Sequence, residues 1–183
     1  MILTDREIKT HLERGTIIID PRPTAYDSTS CDLTLDPIIS EFTKADKGLE
    51  TTIDPVNANF KDEEILRSIT KRITLDEDGY VLKPDDFILG WTAEYINLKY
   101  DARIAARVEG KSSLARLGVV IHMTAPTIHA GFEGQIRLEI ANYGRFPIRF
   151  RPRMRVCQLI FEMTLGAPEK AYQEQFAGQT SGS

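Results

Sequence analysis

The second half of the chain is a succession of short apolar segments, each ended within a few residues by glycine, proline or asparagine. Several of them alternate apolar and polar residues with a period of two, which is typical of a strand with one buried face. Segments this short and this evenly spaced favour an all-β barrel or jelly roll. The five segments are ARIAARVEG, GVVIHMT, GQIRLEIANYG, FPIRFRP and MRVCQLIFEM.

The first half of the chain adds a short N-terminal helix to this β pattern. Thr4 is followed three residues later by Glu7, which is the spacing of a capping box, and Gly15 ends the amphipathic stretch. Strands are predicted at TIIID and at CDLTLD, whose alternation indicates a half-buried strand. The remaining segments predict one or two helical turns at DEEILRSI, a hairpin around DEDG in RITLDEDGYVL, and a strand pair in LKPDDFILGWTAEYINL.

The length of 183 residues fits one domain. We expect residues 1–165 to form it. Residues 166–183 are rich in Gly, Gln and Ser and carry little apolar surface. We therefore expect them to form a flexible tail that a ligand or a neighbouring subunit would order.

The charge balance argues against a nucleic-acid partner. The formal net charge is −4, whereas a protein that binds a phosphate backbone needs a basic surface. A bound phosphate therefore belongs to a small ligand. The charged start and the lack of a long apolar run predict no signal peptide and no membrane anchor, hence a cytoplasmic protein. Five arginines alternate with apolar residues and are interpreted as a solvated outer face; they stand at positions 145, 149, 151, 153 and 155.

The cysteines and histidines do not form a zinc motif. Cys31 and Cys157 are too few for a disulfide framework or a cysteine-based zinc site, and we interpret both as buried free thiols. His11, His122 and His129 are scattered, and no H-x-E with P-C-x-x-C is present. A protein-bound zinc that activates water is not expected.

Arg137 and Glu139 are predicted to share one face of a strand. In GQIRLEIANYG they alternate with Ile136, Leu138 and Ile140, so both point away from the local core. Taken alone, Glu139 is most often a solvated strand residue. The alternative is a general base in a cleft.

The segment GKSSLARLG is a candidate phosphate site. The hydroxyls of Ser112 and Ser113 and nearby backbone N–H groups can cradle phosphate oxygens, while Lys111 and Arg116 neutralise charge. The G-x-x-x-x-G-K-[ST] order of a Walker loop is absent, and a serine-rich basic turn is by itself a weak signal.

The continuous stretch GKSSLARLGVVIHMTAPTIHAGFEGQIRLEIANYG closely resembles the dCTP deaminases, which share a superfamily with the trimeric dUTPases. The resemblance extends over most of the chain. MILTDREIKTHLERGTIIIDPRP, CDLTL and MRVCQLIFE are similar to the family's first helix and strand, its first core strand and a late strand. The resemblance implies a distorted jelly-roll β-barrel of the dUTPase-like type with a short N-terminal helix. It also implies assembly as a homotrimer with active sites at subunit interfaces.

The resemblance also implies a zinc-independent hydrolase that acts on the C–N bond of a cyclic amidine, turning dCTP into dUTP and ammonia in pyrimidine deoxynucleotide biosynthesis. The family's catalytic glutamate falls on Glu139, which would act as base and then as acid. Ser112 and the backbone carbonyl of Ala125 would hold the attacking water, and Arg116 would offset developing charge.

The resemblance implies a nucleotide site whose triphosphate is shielded by Mg²⁺. Feedback inhibition by dTTP and the preference for dCTP over dCMP stay open. The implied nucleotide-binding residues are Lys111, Ser112, Ser113, Leu114, Ala115, Arg116, Arg137, Leu138, Glu139, Gln158, Tyr172 and Gln179.

Several positions depart from the family pattern. Lys111 stands where many relatives have arginine, which replaces a two-point phosphate contact by a point charge. The tail is shorter, and Gln175 stands for a tail lysine. His129 occupies a position where relatives commonly have aspartate, the residue type that dUTPases use to activate water, and Pro126 replaces a glycine of bifunctional members. These differences favour deamination alone. A bifunctional enzyme giving dUMP and a non-catalytic nucleotide sensor are the alternatives.

Overall fold

The computed structural model of the chain describes residues 1–43, 52–56, 61–169 and 178–182, and it is mainly β with a short N-terminal helix, as the sequence predicts. None of the helices in these ranges is long and apolar enough to cross a membrane. The helices are α1 (Asp5–Arg14), α2 (Asp62–Ile69) and α3 (Ser112–Ala115), and a 3-10 turn spans Tyr100–Ala102. The strands are β1 (Ile17–Asp20), β2 (Tyr26–Asp27), β3 (Ser30–Thr34), β4 (Ile38–Phe42), β5 (Thr70–Thr74), β6 (Tyr80–Leu82), β7 (Phe87–Leu98), β8 (Ile104–Gly110), β9 (Val119–Val120), β10 (Thr127–Ile128), β11 (Glu133–Asn142), β12 (Ile148–Phe150) and β13 (Arg155–Met163).

The first helix begins and ends where the sequence predicts. The Thr4 N–H donates to the Glu7 carboxylate at 3.0 Å, which satisfies one of the free amides of the first turn. Gly15 adopts the left-handed conformation, with φ of 69°, and closes the last turn on the carbonyl of His11. Ile8 is fully buried and anchors the helix to the sheets.

Two large sheets and one small one make up the described part of the chain. The larger sheet has the order β5-β4-β7-β11-β9, and β1 also pairs with β7. The second sheet has the order β10-β8-β13-β3-β2, and β12 pairs with β6. Fully buried residues of both large sheets, such as Ile88, Leu138, Leu33 and Leu159, belong to one hydrophobic core. Burial of these side chains holds the sheets together, at about 25 cal/mol per Å² of apolar surface.

Cys31 and Cys157 are free and buried in the second sheet, which confirms the prediction. Burial raises the pKa of the Cys31 thiol to about 12 and raises that of Cys157 as well. Both groups therefore stay protonated and act as small apolar side chains. The five arginines between Arg145 and Arg155 are all exposed, as the interpretation of a solvated face requires.

Two sequence-based strand assignments are wrong for topological reasons. The turn around DEDG is not a hairpin turn, because β5 pairs with β4 and β6 pairs with β12, so it joins two different sheets. The segment CDLTLD is not half-buried. All of Ser30–Leu33 is buried, since β3 is covered on both faces.

The segment predicted as a strand pair, LKPDDFILGWTAEYINL, instead contains the single long strand β7. Gly90 lies inside this strand. A Cβ at Gly90 would stand 3.0 Å from the Ile140 side chain and 3.1 Å from that of Leu35, so glycine is needed there for close packing. Because β7 pairs with β1, β4 and β11 along its length, no turn can interrupt it.

The described end of the tail, residues 178–182, lies along the start of β11. The Gln135 backbone N–H donates to the Gln179 backbone carbonyl at 2.9 Å, and the side-chain amide of Gln179 donates to the Gln135 backbone carbonyl at 3.0 Å. The Gly178 N–H donates to the Glu133 carbonyl at 2.6 Å, and that of Ser181 to the Gln135 side chain at 2.6 Å. Gly134 permits this contact, because its φ is 146° and a Cβ there would lie 2.9 Å from the Gln179 carbonyl oxygen.

We expect the substitution Gly134→Ala to detach the tail while leaving the core folded. The strained backbone and the clash with Gln179 cost of order 1–3 kcal/mol, so amide exchange at Gln135 and Ser181 should accelerate roughly tenfold. Hydrogen exchange followed by NMR measures this. Gly166→Ala is the matched control, since a Cβ at Gly166 meets nothing within 4 Å. An unchanged exchange rate at the Gln135 amide in the Gly134→Ala variant would contradict the proposed role of Gly134 in holding the tail against β11.

Candidate active site

A row of directly paired residues crosses the larger sheet on its outer face. Arg72 of β5 pairs with Ser40 of β4, Ser40 pairs with Leu89 of β7, and Leu89 pairs with Glu139 of β11. Paired residues of antiparallel strands project from the same face. The register therefore places the carboxylate of Glu139 on a face shared by four strands.

Arg137 lies on the same face, two residues before Glu139. Both side chains are half-buried, whereas Ile136, Leu138 and Ile140 are buried. The predicted alternation along β11 is therefore confirmed over this stretch.

A cleft of about 520 Å³ opens beside Glu139. Its wall is largely apolar, and the rings of Phe42 and Phe87 stack there with centroids 5.1 Å apart. An apolar cleft with a few polar groups is the usual form of a small-ligand site, and stacked rings suit a flat heterocycle. The lining residues are Phe42, Leu66, Phe87, Leu89, Ala125, Thr127, Ile128, His129, Phe132, Ile136, Arg137, Glu139 and Gln179.

The carboxylate of Glu139 is oriented by one backbone contact. The Met123 N–H donates to its Oε2 atom at a long 3.3 Å. A half-buried carboxylate in a ligand-sized cleft has the geometry of a general base, because it can accept a proton from a water molecule held in the same space.

Four residues of the predicted site line this one cleft: Glu139, Ala125, Arg137 and Gln179. Leu138 lies between two of them, but its side chain is fully buried in the core. Leu138 can therefore contact a nucleotide only through its backbone.

The predicted phosphate turn, residues 111–116, does not line this cleft; every one of its residues is described. Ser112, Ser113, Ala115 and Arg116 are exposed on and after α3, whereas Leu114 is buried. The N–H groups of Leu114, Ala115 and Arg116 already donate to carbonyls of the turn itself. The serine hydroxyls and the Arg116 side chain are thus accessible parts of the predicted cradle.

Lys111 is held by an acidic partner. Its Nζ atom lies 2.5 Å from a carboxylate oxygen of Asp32, which is itself 7% exposed and also 3.5 Å from Arg155. Any contact between Lys111 and a phosphate therefore competes with Asp32. Gln158 accepts a hydrogen bond from Ser30 at 2.9 Å and donates to the Gly110 carbonyl at 3.3 Å, next to the turn. Tyr172 and Gln175 lie outside the described residues.

A second cavity of about 390 Å³ adjoins the cleft and was not predicted from the sequence. Its residues come from four strands, helix α2 and the tail. The sequence signal for this cavity is the spacing of Phe87, Leu89 and Trp91 in FILGW. They lie two residues apart, so on a strand they share one face. The lining residues are Ser40, Glu63, Leu66, Arg67, Thr70, Arg72, Leu89, Trp91, Arg137 and Ser181.

No cluster of three or more His, Cys, Asp and Glu side chains in the described part of the chain is arranged to hold a metal ion.

Comparison with known proteins gives a consistent result. The sequence model of a family described as dCTP deaminase-like matches residues 2–164. The chain is 39% identical to "dCTP deaminase, dUMP-forming" of Methanosphaera stadtmanae, over 98% of this chain and 90% of the relative. It is 34% identical to "dCTP deaminase" of Rhodospirillum rubrum, over 94% of this chain and 87% of the relative.

Among solved structures, the 2'-deoxycytidine 5'-triphosphate deaminase of Agrobacterium tumefaciens has a similar fold. The TM-score is 0.68 at 22% identity, and the match covers 89% of this chain and 48% of that protein, so the chain spans about half its length. The family match covers the described core, the serine turn and every lining residue of the cleft except Gln179. The chain therefore belongs to the dCTP deaminase-like family.

Proposed function

We propose that the protein hydrolyses dCTP to dUTP and ammonia. The observation that carries the proposal is the position of Glu139, half-buried in a cleft of about 520 Å³ between stacked aromatic rings and Arg137. The cleft is large enough for a nucleoside, and its carboxylate faces the space that a base would occupy. Membership of the family supports dCTP as the substrate.

In the proposed reaction water attacks C4 of the cytosine ring. Glu139 accepts a proton from that water as the new C–O bond forms, and passes this proton to the ring nitrogen N3. Glu139 then takes the proton of the new C4 hydroxyl and delivers it to the amino group at C4, and ammonia leaves as the C4 carbonyl forms. The carboxylate is restored at the end of the cycle, so one residue serves as base and as acid and no zinc ion is required.

The attacking water needs further partners. Ala125 lines the same cleft as Glu139, and its carbonyl is a candidate acceptor. Ser112 would donate or accept the second hydrogen bond, and Arg116 would offset charge that develops on the ring.

We propose that Ser112 and Arg116 reach the reacting base from a neighbouring subunit of a homotrimer. Two observations support this: both residues are exposed, and their turn lies outside the cleft of its own chain. Each site would then combine the Glu139 cleft of one subunit with the serine turn of the next. The triphosphate, with its Mg²⁺, would lie against that turn.

The substitution Glu139→Gln should abolish turnover while preserving binding. It keeps the shape of the side chain and removes the proton acceptor, so kcat should fall by roughly 10²- to 10⁴-fold. Ammonia release and dCTP binding by calorimetry measure the two effects. Glu133→Gln is the control, since Glu133 lies on the same strand, is exposed and bonds to Tyr95. Its kcat should stay near wild type. Turnover by Glu139→Gln at the wild-type rate would exclude the proposed base.

A second product is favoured by the names of the relatives. The Methanosphaera stadtmanae protein, 39% identical, is named dUMP-forming, which requires hydrolysis of dUTP after deamination. Against this, the cleft of the present chain contains His129 where the family resemblance implies aspartate. A neutral imidazole accepts a hydrogen bond but lacks the charge of a carboxylate. We therefore propose dUTP as the final product.

Incubation with dCTP and Mg²⁺, followed by ion-exchange chromatography, separates the candidates. We expect dUTP and ammonia in equal amounts and no diphosphate, because His129 stands where the resemblance implies the aspartate that would activate a second water. Accumulation of dUMP with diphosphate would overturn the assignment of the product and leave the deaminase step intact. Bound dCTP that yields no product would indicate the nucleotide sensor.

A further inference from the structure

The guanidinium of Arg137 is fixed by two side chains outside the proposed chemistry. Its Nη1 and Nη2 atoms lie 2.6 Å and 3.3 Å from the two carboxylate oxygens of Glu63, a two-point ion pair. Its carbon Cζ lies 4.3 Å from the centroid of the Trp91 ring. Arg137 and Trp91 are direct partners in the register of β11 and β7, so the stacking follows from the sheet itself.

Arg137 stands between two cavities. The cleft and the second cavity share three lining residues, Leu66, Leu89 and Arg137. Leu89 and Arg137 belong to the sheet, whereas Leu66 belongs to α2. Cavities of about 520 Å³ and 390 Å³ thus meet at Leu66 and Arg137, and we call these two side chains the partition.

Helix α2 controls both halves of the partition. It supplies Leu66 directly, and three residues earlier, one turn of the helix, it supplies Glu63. The Arg137 Nε atom is buried and has no hydrogen-bond partner in the described part of the chain. The direction of the arginine therefore depends on Glu63 at its tip and on Trp91 beneath it.

We propose that Glu63 is a positioning residue for the nucleotide cleft: by holding Arg137 flat on Trp91, it keeps the partition closed. The proposal deepens the proposed function and rests on it for the identity of the ligand. A closed partition presents a planar, charge-neutralised wall beside Glu139 and keeps a bound base out of the second cavity. Without Glu63 the arginine swings away, the two cavities join, and the cytosine ring is held less firmly beside the carboxylate.

Glu63→Gln tests the proposal against Glu64→Gln. Glu64 lies on the same helix, but its side chain is 69% exposed and pairs with Lys61 at the surface, so the control removes the same charge. The chain has one tryptophan, and its fluorescence therefore reports on Trp91 alone. Acrylamide quenching measures how well Arg137 covers the ring, without any nucleotide.

We expect Glu63→Gln to increase the quenching constant about twofold, to raise KM for dCTP about tenfold and to change kcat by less than about threefold. It should also let dATP compete with dCTP, which the wild type and Glu64→Gln should not. Glu63→Asp keeps the charge on a shorter side chain, so its KM for dCTP should lie between those of the wild type and Glu63→Gln.

Equal quenching and equal KM in the Glu63→Gln and Glu64→Gln variants would overturn the proposal. A fall in melting temperature with no change in quenching or KM would assign Glu63 a structural role alone and overturn it too. If the wild type does not turn over dCTP, the proposed function fails, and quenching together with dCTP binding by calorimetry still decides whether Glu63 holds the partition.

Discussion

The antiparallel pairing of β11 with β7 is the constraint on which the candidate site depends. Its register places Arg137 opposite Trp91 and Glu139 opposite Leu89. Because side chains of a strand alternate between faces, a shift by one residue would turn Glu139 into the core and Leu138 into the cleft. The hydrophobic side of β11, from Ile136 to Ile140, fixes that register by burying every second residue. The same burial that stabilises the fold therefore orients the charged residues.

The outer face of the larger sheet carries side chains that do not belong to the hydrophobic core. Helix α2 covers part of it and divides the space into the cleft and the second cavity. The tail lies along the start of β11 and brings Gln179 to the edge of the cleft. Glu139 is thus surrounded by elements from distant parts of the chain, and two of them, α2 and the tail, are bonded to β11. A second subunit that supplies the serine turn would complete this arrangement in the proposed trimer.

The sequence predicted the local features well and the long-range ones less well. Helix α1 with its caps, the alternation along β11 and the two buried thiols were predicted because each is set by neighbours in sequence. The sequence did not predict three other features: the partners of β5 and β6, the continuity of β7 through Gly90, and the contact of Glu63 with Arg137. These depend on which strands pair and on packing between residues far apart, and no local pattern encodes them. The serine turn was predicted as a motif, but its place outside its own chain's cleft could be seen only in the structure.

Mixing two inactive variants tests most directly whether the Glu139 cleft of one subunit works with the Ser112 turn of the next. Glu139→Gln and Ser112→Ala subunits, dissociated and reassembled together in equal amounts, would form trimers in which some interfaces pair an intact glutamate with an intact serine. Random assembly predicts recovery of about a quarter of the wild-type deaminase activity. A reassembled mixture as inactive as either variant alone would contradict a site shared between subunits.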